Sequence, residues 1–325
     1  MSSEIKIKCR NPHEFLISII YSLSYASRKA GPVLHRSLLG LGYIFVALDI
    51  PSVFNMPAPD FLLVNTRRKI VVAVECKGDT VEDRKLKKKF SDPVEDAIKS
   101  VVQDDRNEYK IEFVIHTFDI FANHYTHVAH NISEELGKDV LIWTTTAVPQ
   151  VMADSATGGT AEYYTLRKYT SQNYSVKHYD NELERLLAQG ILISESDIAC
   201  NPLVDPDVEY KVLFYELSEY TLRAALSDKY RGRRIRVVEF TNDIKRDYQS
   251  IVKIDRLIGV ITDIFEVFPE LGEIKRSSME IVFKKRPRIN EEFIKKFDDI
   301  RKTIINKSES EAKKYIRELK TRRRK

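Results

Sequence analysis

Two carboxylates and a lysine stand at the ends of two apolar stretches of this chain. Asp60 precedes the stretch 61–64 (FLLV), and Glu75 and Lys77 follow the stretch 70–74 (IVVAV). Converging carboxylates supply the oxygen ligands that a hard divalent cation such as Mg²⁺ prefers, and a nearby ammonium can hold an attacking water or a developing oxyanion. Because carboxylate sites leave part of the metal shell open to phosphate oxygens, these residues favour phosphodiester hydrolysis.

Two strands and a tight turn are the elements expected to bring these residues together. The run 70–74 is almost entirely β-branched, which is typical of a strand covered on both faces. Side chains alternate along a strand, so Glu75 and Lys77 are expected on one face and Cys76 on the other. The polar residues 65–68 suit a hairpin turn. In an antiparallel hairpin Asp60 then lies close to Glu75 and Lys77.

Pro59-Asp60, a spacer of 14 residues and Glu75-Cys76-Lys77 resemble the signature of the PD-(D/E)XK nuclease superfamily. The resemblance implies an α/β fold with a restriction endonuclease-like mixed sheet flanked by helices. It implies a Mg²⁺-dependent endonuclease, with Mn²⁺ as a substitute ion and DNA rather than RNA as the substrate. Asp60 and Glu75 would bind the metal, together with the backbone carbonyl of Cys76. Lys77 would assist water activation.

Members of this superfamily often carry one more glutamate on the helix before the first core strand. The segment 33–43 (VLHRSLLGLGY) is the expected helix, but its polar position is His35 rather than a glutamate. The nearest acid upstream is Glu14, on an expected earlier helix. Glu14 and His35 are therefore the candidates for an additional metal contact.

The rest of the first 150 residues alternates helix and strand patterns. Apolar spacing predicts helices over 92–106 and 128–136, and strands over 111–116 and 140–143. Such alternation indicates a layered α/β domain with crossover connections. We therefore expect a nuclease-like domain over 1–150, followed by a Gly-rich linker or mobile loop over 151–162.

A second, mostly helical α+β domain is expected over 163–290. Helices are predicted over 181–190, 209–230 and 243–268, and strands over 233–240 and 279–284. Helices followed by basic strands would suit a winged-helix domain. This domain is expected to bind substrate or to assemble subunits.

Two clusters of basic residues are candidates for nucleic-acid binding, because affinity comes mostly from neutralising phosphates. The first follows the expected metal site and consists of Arg84, Lys85, Lys87, Lys88 and Lys89, which a solvated loop would explain equally well. The second lies on the expected wing and consists of Arg231, Arg233, Arg234 and Arg236.

The C-terminal region 291–325 is predicted as a basic amphipathic helix and tail. From Lys284 onward the chain carries 17 Lys or Arg and 7 Asp or Glu, a net charge of +10, whereas the rest carries −5. Such asymmetry is typical of a contact with nucleic acid or an acidic partner. An apolar stripe at helical spacing, from Phe293 to Ile304, indicates packing within the chain or pairing in a homodimer or multi-subunit complex.

Composition sets outer bounds on location and redox state. Neither an apolar stretch of about 18 residues nor a signal peptide is visible, which predicts a soluble, cytoplasmic protein without a membrane partner. The three cysteines, Cys9, Cys76 and Cys200, lie far apart and predict neither a disulfide framework nor a zinc site.

Two other functions are alternatives to a nuclease. The first keeps the fold without catalysis: a nuclease-like subunit that binds nucleic acid or acts as a scaffold in a defence, recombination or transposition complex. The missing helix glutamate at His35 favours it. The second is a zinc enzyme that uses imidazoles. Its ligands would be His116, His124, His127 and His130.

Overall fold

The hairpin expected over residues 61–77 begins the central sheet of the protein. In the computed structural model, described for residues 9, 11–25, 37–47, 57–102, 108–148, 162–204 and 207–324, β2 (Phe61–Asn65) and β3 (Ile70–Lys77) pair antiparallel. The register sets Phe61 opposite Val74. The strands, the turn and the alternation along β3 therefore agree with the sequence pattern.

Seven strands form this mixed sheet, in the order β1-β2-β3-β4-β5-β6-β7. The other strands are β1 (Ile44–Ala47), β4 (Lys110–Phe118), β5 (Val140–Val148), β6 (Tyr163–Lys168) and β7 (Ile191–Ser194). Pairs β3-β4 and β4-β5 are parallel, whereas the pairs on either side are antiparallel. The parallel strands are joined through helices, as crossover connections require.

Helices cover both faces of the sheet. They are α1 (Pro12–Ser24), α2 (Ser37–Gly40), α3 (Asp83–Lys89), α4 (Asp92–Val102), α5 (Ala122–Leu136) and α6 (Asn181–Gln189). One face packs its β2 to β5 side chains against α3, α4 and α5 in a single apolar cluster. The opposite face meets α1, where Tyr21 contacts Phe45 and Phe45 stacks on Phe61. The coarse prediction of an α/β sheet flanked by helices is confirmed.

The boundary between the two compact units lies later than predicted. The first unit spans Ile7–Asn201, and the second includes Pro202–Lys325. The predicted boundary near residue 150 divides one sheet, because β6 and β7 continue the ladder from β5. Their pairing partners are distant in sequence, so local patterns did not reveal this extension. The expected linker 151–162 falls outside the described residues except for Glu162.

The second unit combines helices with a small antiparallel sheet. Its helices are α7 (Tyr210–Leu226), α8 (Val237–Tyr248), α9 (Ile254–Val267), α10 (Glu291–Ile305) and α11 (Glu309–Arg324). Its strands are β8 (Arg234–Arg236), β9 (Gly272–Lys275) and β10 (Glu280–Phe283), in the order β8-β10-β9.

Two predicted elements of the second unit differ from the structure. The strand expected over 233–240 ends at Arg236, and α8 begins at the next residue, Val237. The long helix expected over 243–268 is divided into α8 and α9 at Gln249, whose φ of 51° is left-handed. A left-handed residue ends a helix because it turns the chain away from the helical path.

The apolar stripe of the C-terminal region packs within the chain. Phe293, Phe297, Ile300 and Ile304 are buried on α10, and the Phe297 ring lies 4.7 Å from that of Phe268. This contact supports packing within the unit, one of the two interpretations of the stripe.

Cys9 and Cys200 form a disulfide, with their Cα atoms 5.5 Å apart. The expectation that the cysteines stay unpaired is therefore wrong, because the fold closes a separation of 191 residues. The cysteines consequently give no support for the expected cytoplasmic location. In the described part of the chain, no helix is long and apolar enough to cross a membrane.

Candidate functional site

The structure brings Asp60, Glu75 and Lys77 together at the end of β3. The hairpin does this directly, since the Asp60 amide donates to the Val74 carbonyl at 3.0 Å. The Asp60 carboxylate turns back onto the same strand, where its Oδ2 accepts the Cys76 amide at 2.7 Å. Glu75 and Lys77 share a face of β3 and form an ion pair.

A second lysine, Lys89, lies between the two carboxylates. Its Nζ is 2.7 Å from both oxygens of Glu75 and 3.8 Å from Oδ1 of Asp60. Lys89 ends α3, which is anchored by the buried side chains of Leu86 and Phe90. The sequence pattern indicated only a nucleic-acid contact for Lys89 and did not reveal its place among the carboxylates, because that contact depends on how α3 packs beside β3.

His13 completes the cluster from the opposite layer. Its Nε2 lies 2.9 Å from Asp60 Oδ2. Asn11 caps α1 by accepting the Glu14 amide, and Pro12 occupies the first turn, which is the usual start of a helix. The sequence carried this helix-start signal. However, nothing linked His13 to Asp60 across 47 residues.

Gly78 allows α1 to approach the end of β3. A Cβ at Gly78 would lie 2.6 Å from Pro12 Cβ and 3.1 Å from the His13 amide nitrogen. Such distances are too short for any larger residue without movement of the helix. Glycine is therefore required for the close packing that brings His13 to Asp60.

The two carboxylates have opposite pKa shifts. Burial alone would raise the pKa of Asp60, but the His13 hydrogen bond and the nearby lysines lower it to about 2. The pKa of Glu75 is raised by complete burial and by the Asp60 charge, which Lys89 and Lys77 offset only in part. Two carboxylates that share a site commonly separate in this way. For Lys77, burial lowers the pKa, yet Glu75 and Asp60 raise it overall.

The remaining candidates for metal binding are Glu14, His35 and Cys76. Glu14 is buried in the first turn of α1, beside His13. His35 lies outside the described residues. The Cys76 side chain points to the opposite face, where its Sγ lies 3.7 Å from His116 Nδ1. Burial raises the pKa of the Cys76 thiol well above its usual range, which disfavours the thiolate form.

The carboxylate oxygens of Asp60 and Glu75 are the kind of ligand that a hard cation prefers, but two carboxylates fill only part of its coordination shell. Across the described ranges, no group of three or more His, Cys, Asp or Glu side chains forms a metal site. Two carboxylates nevertheless converge on one positive group, the Lys89 ammonium. A divalent ion at that position would meet the same oxygens and complete its shell with water or phosphate.

The expected nucleic-acid contacts divide into separate groups. In α3, Arg84, Lys85 and Lys88 are exposed, whereas Lys87 pairs with Glu135. The segment is a helix rather than the loop that the charge run suggested. The arginines expected on a wing, Arg231, Arg233, Arg234 and Arg236, are exposed in the second unit.

The histidines proposed as zinc ligands do not converge. His116 is fully buried on β4, where its Nε2 lies 2.8 Å from Thr145 Oγ1, and burial lowers its pKa to about 3. His124 approaches the Val81 carbonyl, and His130 pairs with Glu134 on the surface of α5. In the described part of the molecule, these side chains give no support for a zinc centre.

Comparisons with protein-family models, with curated proteins and with solved structures found no match to this chain.

Proposed function

We propose that the first unit hydrolyses phosphodiester bonds in nucleic acid, DNA rather than RNA, with Mg²⁺ between Asp60 and Glu75. The observation that carries the proposal is the convergence of the Asp60 and Glu75 carboxylates at the end of β3, where one atom, Lys89 Nζ, lies 2.7 Å from Glu75 and 3.8 Å from Asp60. Lys77 and Lys89 balance the two carboxylates in the free protein, and a divalent ion that displaced Lys89 would meet the same carboxylate oxygens and accept phosphate in its open shell.

Each residue would have a separate part in the reaction. Bound Mg²⁺, or Mn²⁺ in its place, would lower the pKa of a water molecule and neutralise charge on the phosphate. Asp60 and Glu75 would hold the ion, and the Asp60 orientation is maintained by His13 and the Cys76 amide. Lys77, whose raised pKa keeps it charged, would donate to the phosphate oxygen on which negative charge grows.

The experiment is a cleavage assay with the full chain. Labelled duplex, single-stranded and branched DNA, and RNA, are incubated with Mg²⁺ or Mn²⁺ and then with EDTA. The test variants are Asp60→Asn, Glu75→Gln and Lys77→Met, which keep side-chain volume at a buried site. We expect each to reduce cleavage by at least about 100-fold, as loss of one transition-state contact does.

Matched controls come from exposed residues beside the site. Glu82→Gln and Asp119→Asn make the same changes at two exposed residues, Glu82 just before α3 and Asp119 just after β4. They should cut like the original protein, and all variants should keep its circular dichroism spectrum. Equal cleavage by the site variants and controls, or cleavage that persists in EDTA, would refute the proposed function.

A second candidate is a nuclease-like subunit that binds nucleic acid without cutting it. Lys89 favours this function, since its ammonium already satisfies the carboxylates that a metal would need. In this case the assay would find salt-sensitive binding without cleavage under any metal condition. Such a subunit would work within a larger defence, recombination or transposition complex.

A further inference from the structure

One end of the small sheet in the second unit carries a dense group of exposed cations. The turn before β8 and its first residue contribute Arg231, Arg233 and Arg234. The segment after β10 contributes Lys284, Lys285, Arg286 and Arg288. We call these two segments, 231–234 and 284–288, the basic end of the sheet.

Strand pairing, rather than sequence proximity, assembles the basic end. Arg234 lies opposite Val282, and the Arg233 carbonyl accepts the Phe283 amide at 3.0 Å. The turn also packs tightly, because a Cβ at Gly232 would lie 3.3 Å from Lys285 Cα. Arginines separated from the second segment by about fifty residues are thus held beside it by a rigid ladder.

The two segments of the basic end carry seven cations. Neither segment contains an acidic residue. Within the described ranges, Arg231 is the member seen in an ion pair, with Asp228 at 2.6 Å. Cations concentrated in this way create a positive potential that attracts a polyanion.

The helix that would enter a DNA groove in a helix-turn-helix arrangement is unsuited to that role here. It would be α9, the second helix of the α8–α9 pair. Two of its acids are paired with neighbours: Lys320 of α11 pairs with Asp263 and with Glu266, and Arg276 pairs with Glu266. Because α11 covers this side of α9 through these ion pairs, the helix is not free to enter a DNA groove.

We infer that the basic end binds the phosphate backbone of a nucleic-acid duplex without reading its sequence, and that it does so independently of any cutting. Guanidinium and ammonium groups suit phosphates. Neither segment carries an aromatic residue, so the surface offers no stacking platform for the bases of a single strand. This inference extends the contact expected at Arg231, Arg233 and Arg234 to a second segment, 284–288.

The test is fluorescence anisotropy with the full chain in EDTA, which prevents metal-dependent cutting. The probes are labelled DNA and RNA duplexes of random sequence and a single strand of equal length. Binding should weaken with salt, with a log–log slope of about −4 for four or five phosphate contacts. Arg233→Glu with Arg286→Glu should weaken duplex binding at least about tenfold at 100 mM salt and reduce the slope by about two.

The matched control is Lys295→Glu with Lys296→Glu on α10, which makes the same charge change at exposed residues of the same unit. Lys295 and Lys296 share their helix surface with the acids Glu292 and Asp299, so their charges are locally balanced. The control should bind like the original protein. If the two double variants lose duplex affinity equally, the effect is one of net charge alone and the inference is overturned. Preference for the single strand would overturn the duplex assignment.

Discussion

At the residue scale, Lys89 decides how the candidate site is balanced in the free protein. Glu75 is fully buried and has two ammonium partners, Lys77 and Lys89. A buried carboxylate needs such partners, since an isolated charge in the interior is unstable. Lys89 also reaches Asp60, whereas Lys77 forms its ion pair with Glu75. Lys89 is therefore the cation with which a divalent ion would compete.

We predict that Lys89→Met raises the affinity for Mn²⁺ by at least about tenfold, because it removes a like charge within about 4 Å of the ion. Isothermal titration calorimetry measures this directly. The same variant should lose thermal stability in EDTA and regain it with Mn²⁺, since Glu75 is left with fewer cations.

Lys88→Met is the control, because Lys88 is exposed on the same helix one residue away. Its Mn²⁺ affinity should equal that of the original chain. If Lys89→Met binds Mn²⁺ no better than Lys88→Met, the ammonium does not occupy the cation position.

At the element scale, the site depends on the close packing of α1 against the end of β3. We predict that Gly78→Ala destabilises the first unit by about 1–3 kcal/mol, because the added methyl group overlaps Pro12. Denaturant unfolding followed by circular dichroism measures the change. The helix displacement should also remove the His13 contact with Asp60 and lower any metal affinity.

The comparison for this prediction is Gly259→Ala in α9, where an added Cβ meets nothing within 4 Å. Alanine is the better helix former, so the second unit should gain about 0.5–1 kcal/mol. A loss of stability at Gly259, or none at Gly78, would contradict the packing described for these two glycines.

A chain of buried hydrogen bonds connects residues 178–179, just before α6, to strands β4 and β5. Trp143 donates to His178 Nε2 at 3.0 Å, so the His178 proton is placed on Nδ1, which donates to Glu112 at 2.7 Å. The other oxygen of Glu112 accepts the Tyr179 amide. Both Glu112 oxygens therefore serve as acceptors.

We predict that Glu112→Gln costs about 1–3 kcal/mol in the free energy of unfolding, because an amide has one acceptor oxygen and leaves a buried donor unsatisfied. The control Glu108→Gln changes an exposed side chain just before the same strand and should stay within about 0.5 kcal/mol. Equal stability of the two variants would mean that the chain of bonds is not formed.

At the scale of the whole molecule, the disulfide joins the beginning of the first unit to its end. It links residues separated by 191 positions, so it removes much of the conformational freedom of the unfolded chain. Its effect should be confined to the unit that ends at Asn201.

We predict that Cys200→Ser lowers the stability of the first unit by about 2–4 kcal/mol and makes it insensitive to reductant. Thiol titration of the denatured chain gives an independent check. One thiol, Cys76, should react before reduction in the original protein, and two in the variant. Three reactive thiols in the unreduced original protein would contradict the pairing.

Local patterns in the sequence determined the elements that carry the candidate site. The β-branched run and the polar turn were enough to predict β2, β3 and their antiparallel pairing, because a hairpin involves only neighbouring residues. Alternation along β3 then placed Glu75 and Lys77 on one face, and pairing placed Asp60 beside them. The nuclease function assigned to these residues stays a prediction.

Tertiary packing decided what surrounds these residues. His13 reaches Asp60 from α1 and Lys89 reaches Glu75 from α3, and neither contact has a local signal in the sequence. The same holds for β6 and β7 in the sheet, for the Cys9–Cys200 disulfide and for the two segments of the basic end. Side-chain periodicity reports which face of an element is buried, but not which distant element covers it, because that choice depends on the packing of the whole chain.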